Sequence, residues 1–119
     1  MTTPPVVDSA ALDRLTEWGG DKLLRQMLRL FLENAKERLE QVRQGLAPGG
    51  DLDEAHRSAH ALKSSAANLG AMQVSALSAE LEATTGAGDL ERSRELADAL
   101  VEAHVAADAA LTRVLESLP

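Results

Sequence analysis

The sequence predicts an all-α protein: an antiparallel up-down four-helix bundle with a short additional N-terminal helix. Three observations predict it. Apolar residues recur at three- and four-residue steps over long stretches. Hydrophobic residues make up 45% of the chain but aromatics only 2%, so Leu, Val and Ala must build the core. That diet suits close helix packing, whereas a sheet draws on β-branched and aromatic side chains. Finally, Gly- and Pro-containing breaks are short, which places successive helices antiparallel.

Each element follows in order. Pro4 and Pro5 mark residues 1–7 as a flexible lead-in, and residues 8–119 read as a single domain. Asp8 or Ser9 caps a short helix through "AALDRLTEW", stopped by Gly19 and Gly20. From Asp21, Leu24, Met27, Leu28, Phe31, Ala35, Leu39, Val42 and Leu46 form one apolar stripe on a long helix. "APGG" at 47–50 breaks it and Asp51 caps the next, which runs to about Leu69 with Gly70 as its left-handed stop. A further helix spans about Met72 to Thr85, with Val74, Leu77 and Leu81 facing in. "GAGD" at 86–89 precedes the last, whose stripe includes Leu100, Val101, His104, Leu111, Val114, Leu115 and Leu118.

Composition excludes several functions. No Cys is present, so thiol nucleophiles, disulfides and zinc–thiolate sites are absent, as befits a reducing cytoplasm. The start "MTTPPVVDSA" has no basic segment followed by an apolar one, and no stretch has the apolar length of a membrane span. A net charge of −7 argues against nucleic acid as partner, because phosphate backbones require a basic footprint. A cytoplasmic protein without membrane insertion is expected.

The stretch "AHRSAHALKSSAANLGA" at 55–71 carries most of the chemistry. At about 100° per residue, Leu52, Ala55, Ala59, Leu62, Ala66 and Leu69 define a buried stripe centred roughly 130° from His60. His60 therefore looks outward, near Asp53, His56, Arg57, Lys63, Ser64 and Ala67. Periodicity alone leaves two readings open, an inert surface histidine or a reactive one. The second is favoured by a local cluster of basic residues (His56, Arg57, His60, Lys63) in an acidic chain. Small neighbours, Ser64 and Ala67 among them, let a partner approach the imidazole. Lys63, one turn away, is near enough to neutralise charge attached to the ring. A metal site on His56 and His60 is disfavoured: "HRSAH" lacks the glutamate of H-E-x-x-H, and Arg57 and Lys63 repel a dication.

"AHALKSSAANLGA" resembles the signature of histidine-containing phosphotransfer (HPt) domains, H-x-x-K-G-S-x-x-x-x-G, at His60, Lys63, Ser65 and Gly70, with Asn68 and Leu69 before the glycine. "LLRQMLRLFLENAKERLEQV" is similar to the family's preceding helix, and "SALSAELEATTGAGDLE" to its following helix and turn. The resemblance implies a phosphorelay intermediate: His60 takes a phosphoryl group from the phospho-aspartate of a receiver domain and passes it to another receiver. It implies no kinase activity or nucleotide binding, no cofactor of the chain's own, and Mg²⁺ in the partner. Partners would be response-regulator receivers or a hybrid sensor histidine kinase, meeting the chain around His56, Arg57, Ser64 and Ala67. A catalytically inert helical adaptor is the alternative; retention of both His60 and Lys63 argues against it.

By the same resemblance Lys63 offsets the phosphoryl charge, and Glu82 stands where the family often hydrogen-bonds the ring. Glu82 is equally readable as a solvated carboxylate beside Glu80. Ser65, about 140° from His60, packs at the core edge or bonds its own helix. Ser64 departs from the family's usual glycine and adds a β-carbon and hydroxyl on the docking face. His104 reads as a buried packing residue, and Trp18 as the anchor of the short first helix, which also belongs to the expected docking surface.

Overall fold

A computed structural model describes residues 3–119 as four helices, α1 (Ser9–Leu46), α2 (Leu52–Asn68), α3 (Met72–Gly86) and α4 (Leu90–Ser117), with no strand among them. The expected short helix and the long one are joined directly: Gly20, at φ 68° and ψ −168°, kinks α1 where a loop was expected. A left-handed backbone is cheap only for glycine, so the double glycine turns the chain without a connection.

Caps set the other boundaries. The Asp8 carboxylate accepts from Ala10 N–H at 3.0 Å, Asp51 from Asp53 at 3.0 Å, and Asp89 from Arg92 at 3.1 Å. Each such cap contributes about 1 kcal/mol. At the end of α2, Ala71 N–H reaches back to Ala66 O at 2.9 Å while Gly70 takes φ 75°, a Schellman-type stop. α3 has no side-chain cap.

Each helix packs on two others in a ring: α1 on α2, α2 on α3, α3 on α4, and α4 on α1. Leu28, Leu62, Leu81, Leu100 and Leu111 fill the centre. α2 approaches its neighbours through Ala55, Ala59 and Ala66, all without solvent exposure, so the helix bearing His60 is held by backbone-close contacts. The first turns of α1 close one end, with Ala11, Leu12 and Leu15 buried. In the lead-in, residues 1 and 2 lie outside the described residues. Gln73 donates to Pro4 O at 2.9 Å, Asp8 N–H donates to Gly70 O at 2.7 Å, and Val6 and Val7 rest on the core. This stretch lies against α3 and the Gly70 turn that precedes it.

Trp18 corrects the sequence reading. It is 73% exposed and anchors nothing, because the whole turn from Thr16 to Gly19 before the kink lies in solvent.

His104 is buried as expected, and its Nε2 has no hydrogen-bond partner among the described residues. Burial lowers its pKa; Asp108 opposes that shift and Lys36 adds to it. The folded protein thus disfavours the charged ring, whereas the unfolded chain takes a proton near its ordinary value of about 6.5. Stability from this group is complete above that value and falls as pH drops through the window below it, by at most about 1.4 kcal/mol per pH unit. Urea midpoints should therefore decline from pH 7.5 to 5.5, and His104→Leu should flatten that decline. An equally steep decline in the variant would remove His104 as its source.

Candidate functional site

Helix α2 presents His60 with its side chain 64% exposed, while Ala59 and Leu62 on the opposite face are sealed in the core. Antiparallel α3 supplies the ring's partner. His60 Nδ1 lies 2.5 Å from Glu82 Oε2, and the other oxygen, Oε1, accepts from Lys63 Nζ at 2.9 Å. One carboxylate thus bridges the two polar residues of the motif, and of the two readings of Glu82 the geometry gives the hydrogen-bonded one.

The electrostatics follow. Hydrogen bonds from Lys63 and then from His60 hold the Glu82 carboxyl below the usual carboxylate range, against a smaller opposing effect of burial. A carboxylate only accepts, so the proton of the neutral imidazole sits on Nδ1 and the Nε2 lone pair is free. The Glu82 side chain is 21% exposed and Lys63 34%, so the bridge lies under an open ring.

The other sequence-predicted residues fall around it. Ser64 and Ala67 are exposed on the His60 face, and exposed Arg57 has no hydrogen-bond or ion-pair partner among the described residues. Ser65 is half-buried and donates to Leu62 O at 3.3 Å, as its position at the core edge suggests. His56, read as a surface neighbour, is half-buried, with Nδ1 3.1 Å from Thr85 Oγ1 and its ring over Gly86. Ala67 lines a groove of about 540 Å³ with Ala11, Leu15, Trp18 and Met27, where α1 meets the end of α2. Trp18 and the face of His60 therefore share one side of the bundle.

Sequence reasoning missed two supports. Buried Ser75 donates to the Lys63 carbonyl at 3.0 Å, pinning α2 to α3 at the motif. Thr85 holds His56. The signal for Thr85 was spacing: His56 lies one turn before His60, Thr85 one turn after Glu82, and antiparallel helices bring such pairs together. Among the described residues no group of three or more metal-ligating side chains converges, and no helix is long and apolar enough to cross a membrane.

Comparison with known proteins bears on this geometry. The chain superposes on the crystal structure of histidine-containing phosphotransfer protein B (HptB) from Pseudomonas aeruginosa PAO1, with a TM-score of 0.89, 23% identity, and coverage of 97% of this chain and 98% of that one. At that identity the likeness establishes the helical bundle alone. A search of curated proteins returns no match. The family model of the Hpt domain matches residues 26–117, a span that takes in α2, α3, His60, Lys63 and Glu82, and the chain accordingly belongs to the Hpt domain family.

Proposed function

We propose that the chain is a phosphorelay carrier that accepts a phosphoryl group on His60 Nε2 from the phospho-aspartate of a receiver domain and passes it to a second receiver. The observation that carries this reading is the bond from His60 Nδ1 to Glu82, which leaves Nε2 unprotonated on an open helix face. As Nε2 forms its bond to phosphorus, the P–O bond to the receiver's aspartate breaks and the electron pair leaves on that carboxylate. The ring, still protonated at Nδ1, gains a positive charge directly against Glu82. A preorganised carboxylate at that atom stabilises the charge as it develops. The onward step is the reverse, with the second receiver's aspartate as nucleophile.

Lys63 has three N–H donors, and Glu82 takes one. The remaining donors serve the phosphoryl oxygens, whose charge is the main thing phosphoryl transfer needs stabilised. The chain requires no cofactor; Mg²⁺ belongs to the receiver. Arg57, Ser64 and Ala67, with the groove beside Trp18, form the docking face, and Ser64 is small enough to admit the receiver. Receiver domains, free or within a hybrid sensor kinase, act in the cytoplasm, where this reading places the chain.

Intact mass after incubation with a phosphorylated receiver domain tests the reading. One acid-labile phosphoryl per chain is the expected result; none from a panel of competent receivers would leave a binding module without chemistry. Lys63→Ala should slow transfer, on the order of tenfold or more for a lost charge-assisted contact, with the thermal midpoint nearly unchanged. Unchanged transfer kinetics in a quenched-flow assay would remove the lysine from the step.

A further inference from the structure

We infer that His56 is a second, conditional cation of the site: it takes up a proton when His60 is phosphorylated and so makes phosphoryl occupancy depend on pH. This rests on the reading of His60 as acceptor. Thr85 donates its hydroxyl proton to Leu81 O at 2.7 Å, so its oxygen accepts from His56 Nδ1–H. The Nε2 of His56 then carries a free lone pair, and it is neither hydrogen-bonded nor sealed from solvent. His56 thus repeats the tautomer of His60 one turn away, with Thr85 in place of Glu82.

The charges at the site give this arrangement a use. In the resting protein Glu82 is matched by Lys63, and the form of His60 that attacks is the neutral ring. Transfer adds about two negative charges with the phosphoryl group and one positive charge on the ring. The site is left negative by about one charge, because the single charge of Lys63 is shared between Glu82 and the phosphoryl oxygens. His56 is the nearest group able to supply the balance by binding a proton from solvent at Nε2. By helical spacing the charged groups nearest it are Asp53, Arg57 and His60 on α2, Glu82 one turn before Thr85 on α3, and Asp89 in the turn beyond Gly86; Thr85 and Gly86, which touch it directly, do not titrate. α1 also packs on α2, where Ser58 Oγ donates to Gln41 Oε1 at 3.0 Å.

Side chains one turn apart have β-carbons about 6 Å from one another. At that separation a phosphoryl group on His60 should favour the protonated form of the His56 ring. A proton taken up with the phosphoryl group means that lower pH favours occupancy.

The test is an NMR titration of the imidazole signals before and after treatment with phosphoramidate, with intact mass read on the same samples. The expected result is one phosphoryl on His60 and an upward shift for His56. A modified His60 with an unmoved His56 would overturn this inference and leave the acceptor reading standing. An unmodified His60 would overturn both, and the mass separates the two cases. Variants give a second readout in phosphoryl exchange with a receiver domain. His56→Gln should lose the wild type's gain in occupancy between pH 8 and pH 6, and His56→Lys should keep high occupancy at both pH values. Equal pH profiles for all three proteins would reduce His56 to a packing residue.

Discussion

His60→Gln should take up no phosphoryl group from any receiver that phosphorylates the wild type, while melting within about 0.5 kcal/mol of it, the usual range for a surface substitution. The two halves of that result have separate causes. His60 contributes little to the core, since its side chain is 64% exposed and the buried face of α2 is carried by Ala55, Ala59, Leu62 and Ala66. Glutamine retains an amide N–H for the Glu82 carboxylate, so the bridge to Lys63 persists. What it lacks is a nitrogen lone pair available for attack, because an amide's is delocalised into its carbonyl. Binding to a receiver should survive, because the docking face around Ser64, Ala67 and Trp18 is untouched. Intact mass and calorimetry on the same preparation check both halves. Phosphoryl persisting on the variant would move the acceptor elsewhere, with His56 the first position to map.

Gly70→Ala should have the largest effect on folding, on the order of 3 kcal/mol and about 10 °C in melting temperature. Gly70 has φ 75°, where a β-carbon is strained by about 1–2 kcal/mol. A β-carbon there would also stand 2.3 Å from Asp8 O and 3.1 Å from Ala11 Cβ. Relief of that contact requires the start of α1 to move off the end of α2. The hydrogen bond from Asp8 N–H to Gly70 O and the burial of Ala11 and Leu12 would go with it. Gly49→Ala is the control: φ is 78°, but nothing lies within 4 Å, so only the backbone strain is felt. The motif's last glycine is thus a packing residue, and Gly70→Ala should still accept phosphoryl below its melting transition. Equal melting temperatures for the two variants would show that the contact with Asp8 is relieved at no cost.

The elements were legible because each rests on local chemistry. Asp51 and Asp89 cap where a short carboxylate can reach free N–H groups, and Gly70 stops α2 where only glycine is unstrained. The outward aim of His60 followed from the same periodicity that buries Ala59 and Leu62. Trp18 failed because an apolar side chain was assigned an inward role on its type alone. Its turn ends at the Gly20 kink and leaves the ring on the exposed rim of the groove beside Ala11 and Leu15. Glu82 stayed ambiguous for a different reason: a carboxylate on an amphipathic helix looks the same whether it faces water or a neighbouring imidazole.

Sequence by itself determined the helices, their caps, the face on which His60 stands, and the motif that placed the chain among phosphotransfer domains. Tertiary structure alone decided which residues meet: His60 and Lys63 on one Glu82 carboxylate, His56 on Thr85, Ser75 on the Lys63 carbonyl, and Trp18 beside Ala67. The physical reason is that helical periodicity orients a side chain about its own axis only. Pairing across helices also needs the axial offset and rotation of α3 against α2, and those are set by how Ala55, Ala59, Leu62 and Ala66 pack against their neighbours.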